Sequence, residues 1–251
     1  MRRSIAALQV LTYRDLLRFV RQRSRLIGAL ITPLLFWLLI GGGLGSAFRD
    51  PTGQVGGGYL HYFFPGMLAL SVLFTAIFST ITVIEDRNEG FLQGVLVSPV
   101  SRITFLWSKV LAGAILGAMQ AVLLLLAAPF IGITLSFLSV VQIVLVLLIT
   151  AMGLTALGFF LAWKINSVSG YHSMMNLLLM PLWLLSGAVF PIEGRGSVFS
   201  VLAAINPLSY AMKSLRALIF EGYDPAFLLN TGLLLAFLVV IVLPTNKLLK
   251  S

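Results

Sequence analysis

Few residues in this chain could carry covalent chemistry. Among its 251 residues there are eight Asp or Glu, two histidines and no cysteine, so disulfide and thiolate chemistry is absent. His61 and His172 lie at opposite ends of different apolar segments, which separates them as ligands of one metal. No His-Glu-x-x-His, no Gly-x-Ser-x-Gly and no carboxylate pair inside an apolar segment occurs. No Gly-x-x-x-x-Gly-Lys-Ser/Thr loop is present to cradle a nucleotide's phosphates. The chain therefore reads as having no catalytic site, no metal site and no bound cofactor of its own. Three of its acids and two arginines gather instead in one island, EDRNEGFLQGVLVSPVSR, over 85–102. Glu85, Asp86, Glu89, Arg87 and Arg102 surround an apolar patch of Phe91, Leu92, Val95, Leu96 and Val97, closed by Ser98-Pro99. Charges that orient and apolar side chains that bury make the chemistry of docking.

The elements around the island must hold it off the lipid. Hydrophobic residues make up 59% of the chain and charged ones 10%, whereas a soluble domain carries about a quarter charged. That composition predicts an all-α integral membrane protein with a single membrane domain over 1–251. A bilayer core of about 30 Å needs roughly 20 apolar residues in a helix. Six transmembrane helices are expected, over 26–48, 60–84, 110–131, 138–162, 173–192 and 227–245, none with an interior charge. The first apolar run begins near residue 26 and is long enough to span, so a cleavable signal peptide is not expected. An ion-coupled carrier keeps ionisable groups at mid-membrane, and here only Asn176 and backbone carbonyls remain for that role.

Orientation follows from the basic residues. Of 17 Lys and Arg, seven precede the first span: Arg2, Arg3, Arg14, Arg18, Arg21, Arg23 and Arg25. With the N-terminus inside, thirteen fall on cytoplasmic segments and four outside, at Arg49, Arg195, Lys213 and Arg216. The positive-inside bias thus predicts both termini and the 85–109 loop in the cytoplasm. The same distribution assigns the net charge of +9 to a lipid bilayer surface rather than to nucleic acid.

Segment 1–25 predicts an N-terminal amphipathic interfacial helix. Ile5, Leu8, Leu16 and Phe19 share one side, toward the acyl boundary, and Arg3, Arg14, Arg18, Arg21 and Arg25 the other, toward headgroups. It reads either as a topology anchor or as a lever on the first span. The connection 193–226 is too apolar for a simple loop. Asn206-Pro207 reads as an N-cap followed by proline at the first helical position, and Leu208, Ala211, Met212, Leu215 and Ile219 recur at helical spacing. Re-entrant extracellular helices between the fifth and sixth spans are expected there. Gly41-x-x-x-Gly45 and Gly113-x-x-x-Gly117 permit close helix approach.

Two runs carry a family resemblance. Asp86-Arg87, Gly90-Phe91-Leu92 and Val95-Leu96-Val97-Ser98-Pro99-Val100-Ser101-Arg102 resemble the cytoplasmic signature of type-2 ABC transporter permeases. The run 181–191, PLWLLSGAVFP, followed by Asn206-Pro207-Leu208-Ser209-Tyr210, is similar to the family's fifth span and re-entrant exit. The chain resembles the drug-resistance and lipo-oligosaccharide export members over nearly its whole length. It departs from them at Gln93-Gly94, where relatives carry a charged pair, and at Glu193-Gly194-Arg195-Gly196, where many carry a proline.

The resemblance implies a permease subunit of an ATP-driven exporter in the plasma (inner) membrane. It implies a cytoplasmic coupling helix between the second and third spans, docked on a separate ATPase that holds ATP and Mg. Phe91, Leu92, Val95 and Leu96 would form its buried face. Glu85, Asp86, Arg87, Glu89 and Arg102 would be the orienting rim, with Gly90 and Pro99 as punctuation. Two ATPase copies and a second permease copy, identical or a sibling, would complete the assembly. Phe74, Phe78, Asn176 and Trp183 would lie on spans that line the path of an amphiphilic drug, lipid or oligosaccharide-type cargo. A non-transporting scaffold and an ion-coupled secondary carrier are the alternatives.

Overall fold

Apolar runs without interior charge leave the backbone one way to satisfy its own hydrogen bonds in hydrocarbon, the helix. The computed structural model of the chain describes residues 2–43, 58–191 and 197–250. Among these it forms α1 (Arg2–Arg21), α2 (Arg23–Gly43), α3 (Gly58–Asn88), α4 (Phe91–Val97), α5 (Arg102–Leu125), α6 (Phe137–Lys164), α7 (Val168–Leu184), α8 (Ser197–Ile205), α9 (Pro207–Arg216) and α10 (Phe227–Lys250). A 3-10 turn at Ala128–Ile131 follows α5, and a π turn at Ala217–Glu221 follows α9.

Among the described residues, five helices are long and apolar enough to cross a bilayer: α2, α3, α5 with its 3-10 turn, α6 and α10. The α8–α9 pair, bent by 88°, brings the number to six if it counts as one span. The segment expected as a continuous span over 173–192 differs. Its helix, α7, begins earlier, runs 17 residues and stops at Leu184. At a rise of about 1.5 Å per residue that falls short of a full crossing. The chain then turns at Gly187, φ 85°, a conformation that glycine adopts without a Cβ penalty. The end of the segment expected over 26–48, Gly45 and the turn at 193–196 lie outside the described residues.

α3 is the axis. In its most apolar stretch 89% of residues are buried, against 22% in α2 and 17% in α10, which form the rim. Small residues set the inner spacing. A Cβ at Gly113 would lie 2.5 Å from Thr155 Oγ1, and one at Gly117 3.1 Å from Ala151 Cβ, so this face of α5 seats directly on α6. Gly158 of α6 meets α3 the same way, 2.6 Å from Thr80 Oγ1.

The end of α7 and the segment after it are pinned to the start of α3 and to α9. Trp183 Nε1 donates to Gly66 O at 3.0 Å, Tyr59 Oη to Val189 O at 2.6 Å, and Arg216 Nη2 to Gly187 O at 2.7 Å. Asn206 caps α9 by accepting from Leu208 N at 3.0 Å and donates to Leu182 O at 2.6 Å. The carbonyl of Ala188 rests on Gly66, where a Cβ would sit 2.7 Å from it. Backbone on both sides cannot yield, so Gly66→Ala is expected to cost about 1–3 kcal/mol by overpacking. Thermal unfolding in detergent checks this, with Gly42→Ala as the neutral comparison because nothing lies within 4 Å of that position.

Candidate functional site

The polar island is mostly helix. α3 runs on through Glu85 to Asn88, Gly90 reverses the chain at φ 78°, and α4 follows for seven residues. Ser98 is extended, and the Ser101 side chain accepts from Thr104 N at 3.2 Å to cap α5. The island is therefore a helix end, a short helix closed by Ser98 N–H on Val95 O, and a helix start capped by a side chain.

Its acids Glu85 and Asp86 are turned inward. Asp86 is fully buried and accepts from Arg18 Nη1 at 2.8 Å and Lys109 Nζ at 2.6 Å, with Arg14 bidentate on its two oxygens. Lys109, 2% exposed, also donates to Asp15 Oδ1 and Thr82 Oγ1, each at 3.0 Å. Arg14 reaches Asp15 Oδ1 at 3.2 Å, and Arg18 reaches Glu85 at 3.1 Å and Glu89 at 2.8 Å. Arg25 completes the set on Glu85. Four carboxylates from α1 and α3 thus face four cations from α1, α2 and α5. Burial of so many charges is tolerable only with such pairing.

The remaining rim residues are engaged inside the chain as well. Arg87 donates to the carbonyls of Trp163 at 2.7 Å, Ile165 at 3.1 Å and Ala162 at 3.3 Å, and to Asn166 Oδ1 at 2.9 Å, so it caps the C-terminus of α6. Arg102 donates to Leu249 O at the end of α10. Glu89 is the acid of the island that stays exposed.

α4 corrects the expected docking face. Leu92 and Val95 are buried within the chain, and Phe91 lies under Arg14, whose guanidinium sits 3.6 Å from the ring centroid. Leu96 at 40% and Val97 at 88% exposure point outward with Gln93 and Gly94. A helix this short, covered on one side by α3, turns only alternate pairs of residues away, so Phe91, Leu92, Val95 and Leu96 do not form one free face. Pro99 is exposed beyond it.

α1 differs from expectation in the same sense. Leu11, Thr12, Asp15 and Phe19 are buried, with Phe19 packed among Ala29, Leu116, Leu16, Leu26 and Phe78. Phe19 therefore packs on protein rather than on lipid, and Arg14, Arg18 and Arg25 reach carboxylates rather than headgroups. The outward side carries Val10, Tyr13 and Val20, with Ile5 also exposed. Two sequence signals point to this: Asp15 is the sole acid before Asp50, and Lys109 the sole charge between Arg102 and Lys164. Lone charges in apolar surroundings need partners.

Among the residues expected to line a path, Phe74 and Phe78 stack at 6.1 Å, half-buried on α3, and Phe78 meets His172 of α7 edge-on at 6.0 Å. Asn176 is exposed on α7. Trp183 is buried at 2% and ties α7 to α3, which takes it out of any open lining.

Asp86 is the carboxylate on which Arg14, Arg18 and Lys109 converge, and its removal leaves uncompensated charge. Asp86→Ala, which strips Arg14, Arg18 and Lys109 at once, is expected to cost about 3–5 kcal/mol and to free α1 for proteolysis. Thermal unfolding and limited digestion check this, with Arg21→Ala, an exposed position, expected to change neither.

Residues 6–220 match the family described as ABC-2 type transporter. The putative transport permease ycf38 of Cyanophora paradoxa is 29% identical over 216 residues, which cover 85% of this chain and 74% of that protein. Nodulation protein J of Rhizobium leguminosarum bv. trifolii is 28% identical over 196 residues, 77% of this chain and 73% of its own. The probable multidrug ABC transporter permease YbhS of Escherichia coli K12 is 25% identical over 181 residues, 70% of this chain and 47% of its own. With most of its length matched and its long apolar helices in place, the chain belongs to the ABC-2 type transporter family, as a multi-pass membrane subunit of an ABC transporter whose ATPase resides in a partner.

Proposed function

We propose that the chain is the permease half of an ATP-driven exporter, docked on its ATPase through the outward face of α4. The observation that carries this reading is α4 itself. Leu92 and Val95 anchor it inward, while Leu96 and Val97 stand exposed at its C-terminal end. Exposed aliphatic side chains on a short capped helix need a protein partner, and ABC permeases take their energy from one. α4 thus serves as the coupling helix, with ATP and Mg on the ATPase.

The rest of the assembly follows from the exposed faces. Leu35, Leu38 and Leu39 of α2 and Leu177 of α7 present apolar surface on helices that both pack on α3. A second permease copy covers these faces, and two ATPases serve the pair. Phe74 and Phe78 lie on α3, and the half-buried stack they form suits an amphiphilic drug, lipid or oligosaccharide-type cargo leaving the cytoplasm or inner leaflet. A relative named as a multidrug permease favours the apolar end of that range. α1 is the interfacial helix, with Val10, Tyr13 and Val20 toward lipid and its Arg21 near headgroups, next to Arg23 at the start of α2. α8 and α9, apolar and bent, form the re-entrant pair on the outer side.

Two measurements test this. Val97→Asp and Leu96→Asp, at exposed positions, are expected to lower co-purification of the ATPase at least about tenfold, roughly 1.4 kcal/mol, with thermal unfolding unchanged. ATPase retained at the wild-type level would overturn the docking face. Leu92→Asp makes a poor probe, since it buries an unpaired carboxylate and unseats α4. For orientation, a tag on either terminus is expected to react only from the cytoplasmic side of the inner membrane. Labelling from outside intact cells would reverse the topology.

A further inference from the structure

We propose that Asp15 is a proton-binding site, and that proton uptake there tightens α1 on α3 and α5. The two central carboxylates of the network are not equivalent. Asp86 has both oxygens engaged, Oδ1 by Arg14 and Arg18 and Oδ2 by Arg14 and Lys109. Asp15 has Arg14 and Lys109 on Oδ1 only, and both of those cations are shared with Asp86. Asp15 Oδ2 is buried with no hydrogen-bond partner among the described residues.

The residue is 5% exposed and lines a cavity of about 10 Å³ with Phe19, Ser79, Thr82, Lys109, Ala112 and Leu116. That is about the space of one water molecule. Half of this carboxylate is therefore solvated by weak dipoles and apolar walls.

The charged and titratable groups around it come from all three helices. Arg14 and Arg18 lie on its own helix, Asp86, Glu85 and Glu89 on α3, and Lys109 on α5. The negative charge of Asp86 opposes ionisation of Asp15. A proton taken from solvent water turns one carboxylate oxygen into an O–H donor, usable by a hydroxyl oxygen of the cavity or by a water. The net charge of the cluster rises by one, and Arg14 and Lys109 are left wholly to Asp86.

Burial raises the carboxyl of Asp15 above the ordinary carboxylate value, with Lys109 and then Arg14 pulling it back. A group held more strongly protonated in the docked state contributes stability below its unfolded value. That contribution is lost as pH rises through the docked-state value. α1 therefore docks more firmly as pH falls into the window just above the ordinary carboxylate range. An ordinary ion-pair clamp does the reverse. Because the guanidinium of Arg14 also covers Phe91, the change reaches the base of α4. The inference rests on the cluster alone and stands whether or not α4 docks on an ATPase.

The test uses the full chain in lipid nanodiscs. Infrared difference titration is expected to show a carboxylic acid band that titrates above the ordinary carboxylate range and is lost in Asp15→Asn. Hydrogen exchange of α1, corrected for its intrinsic pH dependence, is expected to slow several-fold over the same window in wild type. In Asp15→Asn it should be slow and flat with pH. A band that survives in Asp15→Asn overturns the proposal. So does α1 protection in wild type that is flat or falls as pH drops, and this second reading decides the matter even if the variant fails to fold.

Discussion

A carboxylate with no access to water must be met by cations, and in this protein that requirement falls on Asp86. It sits at the end of the central helix, fully buried, and draws in Arg14, Arg18 and Lys109. The position of α1 follows from this, since the helix must lie where two of its arginines reach α3. The start of α5 follows too, because Lys109 must cross to the same point. Phe91 is then covered by the guanidinium that serves Asp86, so α4 inherits its seat from the same charge.

Elsewhere the structure is governed by contact rather than charge. Gly113, Gly117 and Gly158 bring α5, α6 and α3 close enough that the packing of small side chains replaces the hydrophobic drive that lipid does not supply. Several polar groups in this layer are answered by one another, as with Thr80 and Tyr171, or Thr75 and Gln120. The charged layer and the small-residue layer lie at different depths of one bundle. The first is sensitive to substitution of a single charge and the second to a single methyl group.

The membrane class, most of the spans and the place of the island were legible from the chain itself, because each depends on local apolar runs of sufficient length. The cap at Asn206-Pro207 was legible for the same reason: its donor and acceptor are two residues apart. The early stop of α7 was not, since it reflects carbonyls at Gly187 and Val189 captured by Arg216 and Tyr59, far away in sequence. Nor was the facing of α4. Phe91, Leu92, Val95 and Leu96 look like one apolar patch in the sequence, and only the proximity of α3 and Arg14 divides them.

The sequence by itself determined that this is a helical membrane protein with a charged island between spans and no nucleotide-binding loop of its own. Composition and spacing suffice for that, because lipid admits few backbone solutions. Only the tertiary structure decided what the charges do. Residues that read as a rim awaiting a partner are already paired, Arg14 with Asp86 across 72 positions and Arg87 with the end of α6 across 76. The physical reason is that a charge chooses its counterion by distance in space, after packing has brought it near.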